Sequence, residues 1–280
     1  MQEQKDKDVF ITLMNPITIK TILMIGNKFA KLFFYQLIES ITNYDIRNYS
    51  LGTEKYDDFL NAVNPQEDII LISPNQDVVI NLELNRVESR ITLEKNRRYV
   101  HRLDRKYNPS VESNTQIIQI NFHDYSHKNK KGNIVLKSCE KISNRNITIY
   151  DFYIRDIKFV SKLIDNRFYN DLALFSAKSN SELYHLSYSS LRRRSIMKEL
   201  QSLKNNKDFM DLYNHEEYLE SLKADFCKKG YEEGIRHQKE VFIKKMFDNK
   251  ENIEKISMYT GYTKDELLDK LIDNTLDIVN

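Results

Sequence analysis

The chain is poor in residues that interrupt regular structure, and it lacks tryptophan. Its 280 residues include only six glycines and four prolines, so long helices and strands with few long loops are expected. The two cysteines, Cys139 and Cys227, lie far apart, and neither belongs to a Cys-x-x-Cys pair. A zinc ribbon or a redox dithiol therefore has no support, and two free thiols in a reducing cytosol are expected.

Long apolar runs are also missing. Lys28 and Lys31 interrupt the apolar N-terminal segment, and no uninterrupted run approaches the ~20 residues of a membrane span. The first eight residues are mostly charged or polar, so no signal peptide is expected. The sequence thus predicts a cytoplasmic protein without a membrane partner. Because the net charge is only +2, a nucleic-acid footprint would have to be local.

Residues 68–85 are the most informative segment. Two aliphatic runs flank a cluster of turn formers, which predicts a β-hairpin. If Asn75 and Gln76 form a two-residue loop, pairing outward places Asp68 opposite Glu83. Directly opposed side chains lie roughly 5 Å apart, and like charges there repel. A hard divalent cation bound to the carboxylate oxygens would remove that repulsion.

Asn85 shares a strand face with Glu83, because side chains alternate along a strand. An Asp followed about fifteen residues later by Glu-Leu-Asn resembles the PD-(D/E)XK nuclease superfamily, in particular the Rpn-type recombination-promoting nucleases, or PD-(D/E)XK family transposases. In that family an Asp opens one strand, and the next strand ends in Glu-x-Gln or Glu-x-Lys. Asp68 and Glu83 match the two acids. Asn85 matches the third position by place but not by type.

The resemblance extends to the order of elements. A helix starting at Asn15-Pro16, a strand near residues 47–51, the hairpin, a basic helix at 90–107 and an apolar strand at 115–122 follow the family's core order of helix, strands, helix, strand. The implied fold is α/β, a restriction-endonuclease-like core with a central mixed sheet flanked by helices. Strands are also expected at 133–136 and 145–154. A domain boundary is placed near residue 160, giving a nuclease-like domain, 1–160, and an all-α region, 161–280.

The family resemblance implies that Asp68 and Glu83 hold Mg²⁺, or Mn²⁺ in its place. A bound metal lowers the pKa of its water and neutralises charge on the scissile phosphate. Asn85 would orient the attacking water, since an amide has donors and an acceptor but no positive charge. The alternative is that both acids are ordinary solvated residues at strand ends.

The helix after the hairpin is a candidate DNA-binding surface. Residues 86–107 carry eight basic side chains against three acids. Helical spacing places three arginines nearly opposite the apolar side: Arg98, Arg102 and Arg105. The predicted apolar side consists of Leu93, Val100, Leu103 and Tyr107. Such a face would bind phosphates in a salt-dependent manner. An ordinary solvated helix face is an equal alternative.

Two other polar clusters give weaker evidence for a function. His123 and His127 are interpreted as loop histidines, and the basic run at 191–194 as a solvated face.

The leading hypothesis is a Mg²⁺-dependent DNA endonuclease. The alternative is a catalytically degenerate nuclease-fold protein that binds DNA or protein. The C-terminal helices could support a homo-oligomer.

Overall fold

The computed structural model describes residues 9–52, 69–88, 90–110, 112–142 and 145–268. The first half of the chain contains α1 (Pro16–Ile25), α2 (Lys28–Thr42), β1 (Ser50–Leu51), β2 (Ile69–Ile72), β3 (Val78–Asn85), α3 (Arg90–Tyr107), β4 (Gln116–His123), β5 (Lys137–Ile142) and β6 (Ile147–Tyr153). The second half contains α4 (Ile154–Ser161), α5 (Arg167–Ala173), a 3-10 turn (Leu174–Ser176), α6 (Asn180–Ser187), α7 (Leu191–Leu203), α8 (Lys207–Asp248) and α9 (Ile253–Thr260). The protein is therefore α/β, and the described residues after 160 contain helices and connections but no strand.

The predicted start of the first helix is confirmed. Asn15 accepts a hydrogen bond from the backbone N–H of Ile17, and Pro16 occupies the first helical position. Both choices suit a helix N-terminus, because Pro has no N–H to leave unpaired. Gly26 caps the carboxyl end of α1, and α2 begins two residues later. The side chain of Asn27 caps the N-terminus of α2. Both helices contribute to the main core described below.

The six strands form one mixed sheet in the order β1-β2-β3-β4-β6-β5. β3, β4 and β6 run parallel, and the other neighbouring pairs are antiparallel. Consequently the carboxyl ends of β3, β4 and β6 meet at the same edge of the sheet. The prediction of a strand at 133–136 is wrong. β5 begins later, at Lys137, and Ile134 makes only an isolated bridge to Lys128.

The hairpin has the predicted register but a different turn. Ile69 pairs with Leu82 and Ile72 with Val79. The N–H of Ser73 donates to the carbonyl of Val78 at 3.0 Å, and the N–H of Gln76 bonds back to the carbonyl of Ser73 at 2.9 Å. The turn is thus centred on Pro74-Asn75, not Asn75-Gln76, because Pro suits the second position of such a turn. Gln76, with φ of 57°, closes the loop.

The two faces of the sheet are covered differently. One face presents Ile80, Leu82, Ile118, Ile120 and Phe122 to the main core, which α1, α2 and the helices after β6 complete. The other face forms a smaller cluster beneath α3. That cluster comprises Val79, Ile117, Ile147 and Ile149 of the sheet with Val100 and Leu103 of α3. α3 therefore lies across β3, β4 and β6 on the face opposite the main core.

By compactness the chain divides into two units, residues 1–220 and 221–280. Helices after residue 160 belong to the core of the first unit, since Leu172 and Ile196 are buried in the same cluster as Ile118. The second unit has its own small core of Ile243, Met246, Ile256 and Leu267. The boundary near residue 160, drawn from a change in sequence character, does not coincide with this division and stays a prediction.

No helix in the described ranges is both long and apolar enough to cross a membrane.

Candidate functional site

A layer of polar side chains lies on the α3 side of the sheet, toward the carboxyl ends of the parallel strands. We call it the polar layer, and its members are Asn81, Glu83 and Asn85 of β3, Gln119, Asn121 and His123 of β4, and Asp151 of β6. The strand register places Asn81 opposite Gln119, Glu83 opposite Asn121, and Asn85 opposite His123. On the other side of β4, Asn121 lies opposite Asp151. The β3 and β4 members are at most 6% exposed. A buried polar layer of this size at a sheet edge marks a candidate site.

Asn121 is the hydrogen-bonding hub of the layer. Its Nδ2 donates to Oδ1 of Asp151 at 2.8 Å. Its Oδ1 accepts from Nε2 of Gln119 at 2.9 Å and from Nδ2 of Asn96 at 3.3 Å. Since Asn96 belongs to α3, these bonds connect the helix to the centre of the sheet. They fix the orientation of Asn121 at the position directly opposite Glu83.

His123, which is fully buried, pairs with Asp151, whose side chain is 20% exposed, and local sequence patterns do not reveal this pair. Nε2 of His123 lies 2.9 Å from Oδ1 of Asp151, and Nδ1 lies 2.8 Å from the hydroxyl of Tyr125. The loop interpretation of His123 is wrong, because it is the last residue of β4 and fully buried. His127 does lie in the following loop, where its ring stacks on Tyr153 with 4.8 Å between the ring centres.

The pKa values of the ionisable groups here follow their surroundings. Burial by itself raises the pKa of Asp151, but hydrogen bonds from His123, Asn121 and Ser138 outweigh it, and the pKa is lowered. Burial, with the nearby negative charge, raises the pKa of Tyr125 and brings the pKa of Tyr153 to about 12. Asp151 is therefore a carboxylate, and both phenols are neutral, at physiological pH.

The structure positions two of the three predicted catalytic residues. Glu83 is 4% exposed and its Oε1 accepts from Nδ2 of Asn81 at 3.3 Å. Asn85 is 6% exposed, and its Nδ2 has no acceptor within hydrogen-bonding distance among the described residues. Asp68 lies outside the described residues. The observed pairing of Ile69 with Leu82 is the register from which Asp68 is expected opposite Glu83. Among the described side chains no three His, Cys, Asp or Glu residues gather around a metal position.

The predicted arginine face of α3 points to solvent. Arg98, Arg102 and Arg105 are exposed, whereas Val100 and Leu103 are buried against the sheet. Arg98 pairs with Glu94 at 3.3 Å, and the guanidinium of Arg102 lies 4.4 Å from the ring centre of Tyr99. The buried side of α3 contains fewer apolar residues than predicted. Leu93 is 45% exposed, and the polar residue Asn96 is buried instead.

Arg86, the arginine between β3 and α3, has a structural partner. Arg86 forms a two-pronged ion pair with Glu217 of α8, at 2.7 and 2.8 Å, and donates to the carbonyl of Met14 at 2.9 Å. Asn15 also donates to Glu217, at 2.7 Å. Arg86 thus joins the end of β3 to α1 and α8, and it is not available as part of a phosphate-binding face.

Comparisons with models of protein families, with curated proteins and with solved structures each find no match. The resemblance to PD-(D/E)XK nucleases stays a prediction.

A signal for the polar residues of β4 is present in the sequence: Gln119, Asn121 and His123 alternate with apolar residues in the same way as Asn81, Glu83 and Asn85 do. Two such strands, side by side and in register, predict a polar layer.

Proposed function

We propose that the chain is a cytoplasmic, metal-dependent DNA endonuclease of the PD-(D/E)XK type, related to the recombination-promoting nucleases. The observation that carries the proposal is the position of Glu83. It is a buried carboxylate near the carboxyl end of a central parallel strand, in the hairpin register predicted to bring Asp68 opposite it. Ligands of α/β sheets bind where the carboxyl ends of the strands meet.

The order of elements supports a restriction-endonuclease-like core. α1 and α2 precede an antiparallel run of β1, β2 and β3, and α3 then leads to β4, which lies parallel to β3. This is the order of helix, strands, helix and strand that the resemblance implies. In this interpretation Glu83 lies near the end of the second hairpin strand, and α3 is the basic helix that follows.

The donor set fits Mg²⁺ better than a transition metal. Mg²⁺ takes one or two protein carboxylates and completes its shell with water and substrate phosphate oxygens, so Glu83 and Asp68 suffice. When bound, the ion would acidify a water molecule and neutralise the phosphate. Asp151 is not part of this set in the proposal, because its oxygens accept from Asn121, His123 and Ser138.

Asn85 is suited to hold the attacking water. Its buried Nδ2 has no acceptor in the part of the chain that the structure describes, and a water or phosphate oxygen would satisfy it. Leaving such a donor unpaired is unfavourable, by about 1–3 kcal/mol. Asn85 supplies no charge, so the arginines of α3 would hold the DNA by its phosphates. Their exposure and the stacking of Arg102 on Tyr99 suit this role.

A second candidate function is a binding module that kept the fold without the chemistry. One observation favours it. Asn85 stands where the family has Lys or Gln. Such a protein would bind DNA through α3 and would not cleave it.

Plasmid cleavage distinguishes the two functions. Supercoiled DNA is incubated with Mg²⁺ or Mn²⁺ and the wild type, Asp68→Ala, Glu83→Ala or the control Glu39→Ala, which removes an exposed carboxylate of α2. We expect nicking by the wild type and control and none by the two site variants. Cleavage that persists in both site variants rules out this site. A wild type that binds DNA but never cuts it supports the binding module.

A further inference from the structure

A surface cavity of about 590 Å³ opens between the end of α4 and the residues of α6. Its lining contains three lysines together with three other polar residues: Lys158, Lys162, Lys178, Ser181, Glu182 and His185. Because these include three ammonium groups and a single carboxylate, the lining has an excess of positive charge. A cavity of this size lies within the usual range for small-molecule sites.

The single carboxylate of the lining, Glu182, is already compensated. It pairs with the ammonium group of Lys158 and accepts the backbone N–H of Lys178 at 2.7 Å. Burial by itself raises the pKa of Glu182, but these hydrogen bonds and the charges of Lys158 and Lys162 outweigh it, and the pKa is lowered. Glu182 is therefore ionised, and it holds Lys158 at the cavity while Lys162 stays exposed beside it.

Two of the three lysines have an acidic partner, and the third has none among the described residues. Lys178 pairs with Asp124, which is not a lining residue, as Lys158 pairs with Glu182. Lys162 forms no ion pair with the residues that the structure describes. At least one positive charge of the cavity is thus uncompensated. The exposed hydroxyl of Ser181 adds a further hydrogen-bond donor.

The donors of the cavity outnumber its acceptors, which favours an anionic ligand. A phosphate monoester carries about 1.5 to 2 negative charges near pH 7 and has three strongly accepting oxygens. The ammonium group of lysine is a common phosphate ligand, and it has three N–H donors. A carboxylate ligand has one charge and two oxygens, so it would use fewer of these donors. The cavity therefore suits a phosphate monoester better than a carboxylate.

We propose that this cavity binds a phosphate monoester, with Lys162, Lys178 and Ser181 donating to the phosphate oxygens. Lys178 also connects the cavity to the candidate site. Its partner Asp124 directly follows β4 and donates its backbone N–H to the carbonyl of Asn85 at 2.8 Å. Two sources share this chemistry, the phosphorylated end of a DNA strand and a small phosphorylated molecule such as a nucleotide. The phosphate site itself does not depend on nuclease activity, whereas the DNA source rests on the proposed function.

Ligand binding by the full chain tests the site, with a chelator present to prevent cleavage. A labelled single strand with a 5′-phosphate is compared with the same strand ending in a 5′-hydroxyl by fluorescence anisotropy. Thymidine 5′-monophosphate is compared with thymidine by calorimetry. We expect the phosphorylated member of at least one pair to bind about tenfold more tightly, because hydrogen bonds to charged groups are strong.

The two comparisons distinguish the sources of the phosphate. A preference in the strand pair identifies a DNA end as a ligand, and a preference in the thymidine pair alone identifies a small molecule. Equal affinity within both pairs, or no binding in either, overturns the proposal.

Two variants locate the phosphate in this cavity. Lys162→Ala removes an exposed lysine of the lining, and Ser181→Asp adds a negative charge in the first turn of α6, where a helix tolerates acids. Each should reduce the preference for the phosphorylated ligand about tenfold. Lys198→Ala, which removes an exposed lysine of α7, is the control and should keep the preference. A preference that is unchanged in both cavity variants places the phosphate elsewhere and overturns the proposal.

Neither readout involves cleavage. A protein that fails to cut DNA can therefore still bind the phosphate, and the reverse also holds.

Discussion

Nε2 of His123 lies 2.9 Å from Oδ1 of Asp151, at the ends of the neighbouring parallel strands β4 and β6. The pair stabilises the polar layer, because Asp151 also orients Asn121, which lies opposite Glu83. The geometry beside Glu83 therefore depends on two residues from strands that follow the hairpin in sequence. Stability, pH dependence and activity should all respond to this arrangement.

Asp151→Asn should destabilise the fold and reduce its sensitivity to acid. The pKa of Asp151 is lowered in the folded protein from its ordinary value of 3.8. Its contribution is therefore fully present above the unfolded pKa and is lost as the pH falls through the folded one. We expect a loss of about 1–3 kcal/mol at pH 7 and a shallower decline between about pH 5 and pH 2.

Urea unfolding at a series of pH values measures this effect. Asp165→Asn, which alters an exposed aspartate, is the control and should follow the wild-type curve. Parallel curves for Asp151→Asn and the wild type would show that the carboxylate adds no pH-dependent stability.

Arg86 and Glu217 should be strongly coupled. Burial on its own lowers the pKa of Arg86 and raises the pKa of Glu217, yet their hydrogen bonds reverse both directions. A double-mutant cycle with Arg86→Met and Glu217→Gln should give a coupling energy of about 1–3 kcal/mol. The exposed pair Arg97 and Glu140, 3.4 Å apart, is the comparison and should give less than about 1 kcal/mol. Equal coupling in the two pairs would contradict the structural role of Arg86.

Reversing the charge of the α3 face should weaken DNA binding at low salt. The variant Arg98→Glu, Arg102→Glu, Arg105→Glu removes the cations that we assign to phosphate binding. The slope of log K against log salt should decrease by up to about 0.9 for each phosphate that the variant no longer neutralises. Fluorescence anisotropy with a labelled duplex measures both the affinity and the slope.

The control makes the same charge change elsewhere. Lys228, Lys229 and Arg236 are exposed residues of the long helix α8, in the second compact unit. Their replacement by Glu should leave the salt slope close to that of the wild type. If the two triple variants lose affinity equally, α3 is not the specific DNA-binding face.

Asn85 should act through its hydrogen bonds. Asn85→Gln restores the family residue and lengthens the side chain, so the cleavage rate should stay the same or rise. Asn85→Leu keeps the size but removes the donor, and the rate should fall by ~10²–10³. Initial rates are measured on plasmid DNA, with circular dichroism to show that each variant is folded. Wild-type cleavage by Asn85→Leu would mean that the third position is not catalytic.

Local patterns in the sequence predict the hairpin register and the exposed arginines of α3. Both depend on side chains that are close in sequence, where alternation and helical spacing decide the outcome. The pairing of His123 with Asp151 cannot be predicted in this way, because it joins β4 to β6, with β5 between them in sequence. The turn lies one residue earlier than predicted, since the preference of Pro74 outweighs that of Asn75 and Gln76.

Manganese binding by Glu83 is the most direct test of the proposed metal centre. Mn²⁺ is titrated calorimetrically into the wild type, Glu83→Gln and the exposed-site control Glu39→Gln. We predict that the wild type and the control bind the ion alike. Glu83→Gln should bind at least about tenfold more weakly, a difference of about 1.4 kcal/mol. Equal affinity of Glu83→Gln and the wild type would contradict the assignment of Glu83 as a metal ligand.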